Sequence, residues 1–306
     1  MIEVALMVEG QDGLNWPRWK RLAEAAETLG LAGLYRSDHF TNPDGPYKDA
    51  LEMWISFGWL ASETKRIEFG PLVSPVSFRN PVVSAWSAAA VDDLSGGRFN
   101  MGLGAGWQER EHRNFGFDLL DLNERFVRFE ESVQVVKHLL QSDEPVLFEG
   151  RYFQLDDAVL LPRPARKGGP PIVIGGNGEK RTMPIAARYA DEWNAVFVTP
   201  ERLWELSAHL DRLLEKEGRS AGAVRRTLMN RITVGATDAD VRRKTEGTDV
   251  ERTRSRGGAV GTPNEVAEQL QKFAESGVQR IMGQMQDMTD LDGVELLATK
   301  VLPQLR

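Results

Sequence analysis

The chain has 306 residues, no cysteine and only four histidines. The lack of cysteine excludes disulfides, thiolate zinc sites, iron–sulfur clusters and a cysteine nucleophile together. A formal net charge of −7, from 38 basic and 45 acidic side chains, argues against nucleic acid as a principal partner, because a phosphate backbone is met by clustered Lys and Arg. The N-terminal MIEVALMVEG has no basic n-region, and no run of 18 apolar residues occurs. No membrane span is expected, and the chain reads as an acidic cytoplasmic protein.

Short apolar runs alternate with longer helical patterns along the whole chain. Residues 2–8 (IEVALMV) read as a buried strand. Asn15-Trp16-Pro17 then marks a helix start, and Trp16, Trp19, Leu22, Ala23, Ala26 and Leu29 share one face up to the stop at Gly30. Strands follow at 33–36, 67–74 and 99–103, with helices at 50–61, 81–94 and 124–140. Further strands are expected at 172–174, 192–197, 228–234 and 279–282. The helices between and after them end at 189 or span 201–217, 263–276 and 293–302. Close to eight β–α units in order imply a parallel sheet, most naturally closed as a (β/α)8 TIM barrel with its site at the carboxyl ends of the strands. A doubly wound sheet is the competitor, but residues 9–13 (EGQDG) lack its G-x-G-x-x-G turn.

The expectation is thus one domain over 1–306 with two interruptions. Residues 142–171 hold short β-like pieces and end in PRPARKGGPP, an insertion between the fourth and fifth units. Residues 237–258, within a mobile loop at about 237–260, are strongly charged. They read either as a solvated helix and loop or as a lid over an anionic ligand.

Three segments are able to carry chemistry. In IGGNGEKRT (174–182) a buried strand runs into glycines just before a helix. Gly175, Gly176, Asn177 and Gly178 would let backbone amides approach a phosphate, with Arg181 adding charge. A plain β-to-α turn is the other use. In GLGAGW (102–107), Gly104 and Gly106 leave room for a flat ligand beside Trp107, or serve close strand packing. Ser37-Asp38-His39-Phe40 follows the second strand, where His39 is able to pass a proton and Asp38 to set its tautomer, unless His39 only packs the loop. No H-x-H, H-E-x-x-H, G-x-S-x-G or P-loop pattern occurs, so a catalytic metal is not expected.

Taken in order, SDHF (37–40), LVSPVSFRNP (72–81), DDLSGGRFNMGLGAGW (92–107), FEGRYFQL (148–155), PPIVIGGNGEKRT with AARYADEWN (170–194) and GTPNEVAEQL (261–270) resemble the bacterial luciferase-like monooxygenase superfamily. Within it they are most similar to the coenzyme F420-dependent oxidoreductases. The resemblance implies a deazaflavin or flavin at the strand C-termini, with its phosphate at Gly175–Gly178. In the family a bulge with a non-prolyl cis peptide supports the ring; it maps here onto Pro71-Leu72-Val73, where the proline at 71 leaves Gly70–Pro71 or Pro71–Leu72 as the cis bond. Asp38 and His39 match the pair that contacts the ring and handles the substrate proton, with Trp107 walling the substrate. A homodimer acting on a small-molecule substrate is also implied. The sugar-phosphate dehydrogenases of the group carry a Trp soon after D-H-F and a Glu after the G-x-G turn. This chain has Asn42-Pro43 and Trp107 there, with Glu109 and Glu111 later, so a glucose 6-phosphate substrate is not expected. The alternatives are an FMN-dependent monooxygenase served by a reductase and oxygen, and a non-catalytic cofactor carrier.

Overall fold

In the computed structural model, which describes residues 2–305, runs that are apolar on both faces form short parallel strands. The first five are β1 (Glu3–Val8), β2 (Gly33–Arg36), β3 (Glu68–Pro71), β4 (Ser74–Pro75) and β5 (Met101–Gly104). The antiparallel hairpin of β6 (Val146–Glu149) and β7 (Gln154–Ala158) stands outside the main sheet. The main sheet resumes with β8 (Ile172–Gly175), β9 (Glu192–Val196), β10 (Arg225–Val234), β11 (Ala259–Gly261) and β12 (Arg280–Gln284). Its order is β3-β2-β1-β12-β10-β9-β8-β5-β4, and β11 adds to the far end of β10. β3 and β4 are two halves of one barrel strand. Phe69 of β3 bridges Phe99 just before β5, while β4 pairs with β5, and this closes the ring at eight positions.

The helices lie where the periodicity places them, at Trp16–Thr28, Met53–Glu63, Pro81–Ser95, Leu122–Gln141, Thr182–Tyr189, Pro200–Lys216, Pro263–Glu275 and Leu291–Leu296. Local chemistry fixes their starts. Asn15 and Asn80 each accept a backbone N–H of the first turn, and Thr262 with Glu265 forms a capping box ahead of Pro263.

Alternate residues of each strand face two different cores. Leu6, Leu34, Phe69 and Ile174 pack outward against Trp19, Phe57 and Val133 of the helices. Ala5, Met7, Tyr35, Val173, Met229 and Met282 fill the barrel interior, and Leu72 closes that stack from the break between β3 and β4. Each fully buried large apolar side chain contributes roughly 1.5–3 kcal/mol.

Two expectations change in detail. The third strand is not continuous over 67–74, because residues 72 and 73 bulge out between β3 and β4. Residues 237–260 are mostly regular rather than loop, forming helices Asp238–Lys244 and Val250–Ser255 and then β11. No helix among the described residues is long and apolar enough to cross a membrane.

Candidate active site

A cavity of about 810 Å³ opens at the carboxyl ends of the strands. That is the end where barrel enzymes place their sites, and the volume suits a cofactor-sized ligand. Its floor is the bulge of the third barrel strand. The peptide bond between Leu72 and Val73 is cis. The cis bond therefore lies one or two bonds beyond the expected Gly70–Pro71 and Pro71–Leu72, since the chain stays in register with β2 through Pro71 and departs only after it. Val73 is received by glycines. A Cβ on Gly104 would lie 2.5 Å from one Val73 methyl, and one on Gly175 would lie 3.1 Å from the other. Those glycines therefore serve close packing and leave the cavity wall smooth at once.

His39 follows β2 and reaches the cavity beside Trp107, whose ring meets it edge-on at 5.7 Å between centroids. Its Nδ1 lies 2.7 Å from Oε1 of Glu111, while Oε2 of Glu111 accepts the Phe40 N–H at 3.0 Å. Glu111 is fully buried on the short helix Glu109–Phe115, which also grips the chain after His39 through Arg110 bonds to the Asn42 and Gly45 carbonyls. With Nδ1–H directed at a carboxylate, Nε2 has no hydrogen-bond partner among the described residues, on a side chain that lines the cavity. Burial pulls the imidazole pKa down, but the Glu111 hydrogen bond and charge, with Glu9 and Asp38, outweigh it and hold His39 above its ordinary value.

Asp38 plays a different part from the one its place in the motif suggests. Its carboxylate is buried and does not line the cavity. It takes a two-pronged bond from Arg79, both contacts at 3.0 Å, and a 2.6 Å bond from the Ser74 hydroxyl. Burial raises the carboxyl's pKa, yet Arg79, Ser74 and Arg36 together keep it below the usual carboxylate range. Asp38 thus ties the chain after β2 to Ser74, just past the cis bond, and to Arg79, with both of its oxygens engaged there.

Of the residues singled out in the sequence, His39, Leu72, Val73, Gly104, Gly106, Trp107, Gly175 and Gly176 line the cavity. Pro71, Asn177, Gly178 and Arg181 do not. Asn177 exchanges a pair of hydrogen bonds with the Val196 backbone, clamping the turn after β8 to the end of β9. Arg181 turns to Asn123, at 2.6 Å, and lies over the Phe126 ring. Glu111 went unassigned because its partner is 72 residues away in the chain. Its only sequence signal is an acidic residue shortly after a Gly-rich strand end.

The barrel with its mouth at the strand C-termini and a His–Glu pair beside a glycine-lined bulge defines an α/β-barrel protein built around an organic ligand. The luciferase-like monooxygenase family model matches residues 4–253, and the chain belongs to that family. It is 32% identical over 212 residues to the F420-dependent glucose-6-phosphate dehydrogenase of Kineococcus radiotolerans, covering 67% of this chain and 60% of that one. The chain thus spans about six-tenths of that relative's length. It is 27% identical over 311 residues to the F420-dependent hydroxymycolic acid dehydrogenase of Mycobacterium tuberculosis, covering 93% and 83% of the two chains. The fold matches that of an F420-dependent secondary alcohol dehydrogenase in complex with an F420–acetone adduct, with a TM-score of 0.83, 19% identity and 100% and 99% coverage.

Proposed function

We propose that this protein is an F420-dependent oxidoreductase that transfers a hydride between the deazaflavin and a small organic substrate. The observation that carries the reading is the His39–Glu111 pair, which leaves one imidazole nitrogen without a partner on a side chain that lines the same cavity as the glycine-cradled Val73. The cavity fits such a group: a side chain at Gly104 or Gly175 would force Val73 to move, and bare backbone there leaves room for a planar ring. Leu72 and Val73 would back the ring, and the phosphate would lie at the start of the turn after β8, where Gly175 and Gly176 line the cavity.

Bound F420 would supply two-electron hydride chemistry. The protein's own share is proton transfer and enclosure. His39 exchanges a proton between Nε2 and the substrate oxygen, and Glu111 fixes the tautomer and offsets the charge of the imidazolium. Trp107, with Asn42, Pro43, Asp44, Pro46 and Lys48, walls the cavity beside His39. The test is His39→Ala in an assay of F420 reduction by a panel of small alcohols. Turnover should fall by about 10²–10⁴-fold with F420 affinity unchanged. Unchanged turnover with the cofactor bound would contradict the role.

The reading includes action in the cytoplasm as a homodimer. Ile55, Val83 and Leu94 stand exposed on the packed helices Met53–Glu63 and Pro81–Ser95, an apolar face suited to a second copy. Sedimentation velocity should give twice the chain mass, and a monomer at micromolar concentration would contradict it.

A further inference from the structure

Beside the main cavity lies a second one of about 360 Å³, and the two share Phe197, Arg231 and Gln286 as walls. Its outer wall is the charged segment after β10, which contributes Arg252 and Arg256. That segment is held to the barrel by built contacts. Asn230, buried on β10, donates from its amide to the carbonyls of both Val198 and Arg256, each at 3.2 Å. Gly257, in the left-handed region at φ +81, passes so close to the Val198 carbonyl that a Cβ would lie 1.9 Å from it.

Phe197 itself has φ +51, a backbone state that bulky side chains rarely adopt. In that state its ring lies under the Arg256 guanidinium, 4.9 Å from centroid to carbon.

The charge on these walls is unbalanced. Among the described residues none of Arg231, Arg252 and Arg256 forms an ion pair. The Arg231 guanidinium donates only to the Gln284 side chain, at 3.3 Å, and Arg256 rests on the aromatic ring. The single carboxylate of the cavity, Asp249, accepts the Arg252 backbone N–H at 2.9 Å as a helix cap. In a chain of net charge −7, three guanidinium groups around one small cavity that shares walls with the main cavity form a local positive well. Guanidinium groups match the paired oxygens of carboxylate and phosphate.

We propose that this side cavity is a substrate subsite that binds an oxyanion group, carboxylate or phosphate, carried at the end remote from the reacting carbon. The proposal rests on the hydride-transfer reading for its word substrate, and deepens it by naming the substrate class. The subsite lies on the β9–β10 side of the mouth, whereas the glycine cradle lies between β5 and β8. A cofactor and an acidic substrate would then enter from different sides and meet near His39.

The experiment titrates the full-length protein with inorganic phosphate and, separately, with succinate, following heat of binding. The wild type is compared with the double variant Arg252→Gln/Arg256→Gln, and F420 affinity is measured on both. Expected is saturable anion binding to the wild type and a loss of about tenfold or more in the variant, since charge-assisted bonds are removed. F420 affinity and melting temperature should be equal in the two proteins. Anion binding of equal strength in the variant, or none in the wild type, would overturn the proposal. A parallel loss of F420 affinity would also overturn it, because the arginines would then serve the cofactor's own acidic tail. None of these readouts needs turnover, so failure of the hydride-transfer reading would show separately.

Discussion

The two ends of the barrel use charged residues in opposite ways. At the amino ends of the strands Arg280 is buried and fully engaged. It bonds Glu3 at 2.5 and 2.7 Å, Glu68 at 2.7 Å and the Tyr35 hydroxyl at 2.5 Å. Asn100 joins the same Tyr35 and Glu68, and Thr227 donates to the buried Glu192. Charge there is used up in closing the barrel. At the carboxyl ends Asp38 and Arg79 are spent in the same manner, but His39 keeps one nitrogen free, and three arginines keep their charge unpaired beside a cavity. The end that leaves charged and titratable groups without protein partners is the end where such barrels place their sites.

The largest effect that should separate the two ends is Arg280→Met. Removing the guanidinium strands Glu3, Glu68 and Tyr35, although the two carboxylates are partly exposed and water recovers some of the loss. Urea unfolding should show a loss of about 3 kcal/mol with F420 affinity unchanged. A weakened F420 affinity would mean the ends are coupled. Next is Gly104→Ala, whose methyl must displace Val73. We expect about 2 kcal/mol of destabilisation from overpacking together with weaker F420 binding, and normal binding would remove Val73 from the floor of the site.

Glu111→Gln should cost about tenfold in turnover, or roughly 1.4 kcal/mol in the barrier. It should also move the pH–rate profile. The folded-state pKa of His39 is raised, so its protonated form persists to higher pH than in a free imidazole. The stability this pair contributes is fully present below the ordinary histidine value and is lost as pH rises through the raised one. Without the carboxylate the corresponding limb of the profile should shift to lower pH. An unmoved limb would assign it to another group.

Much of this was legible in the sequence for physical reasons. Parallel strands buried on both faces leave short, dense apolar runs such as IEVALMV and PPIVIGG, and capping residues before prolines mark the helices. His39 and the glycines at 104 and 175 were visible because their chemistry is local. Glu111 and Arg79 were not, since the fold brings them to His39 and Asp38 across 72 and 41 residues. Asp38 sits next to His39 in the chain yet faces the other way. The break after Pro71 left only a partial trace: Gly70-Pro71 is a breaker pair within the run IEFGPLVS, and the resemblance placed a cis peptide near it, but not at the Leu72–Val73 bond.

The central claim is that the cavity at the carboxyl end of the barrel holds a deazaflavin. Equilibrium titration of the purified protein with F420 and with FMN, side by side under one set of conditions, tests it most directly. The account predicts saturable F420 binding at least about tenfold tighter than FMN binding. Tight FMN binding with none for F420 would contradict it.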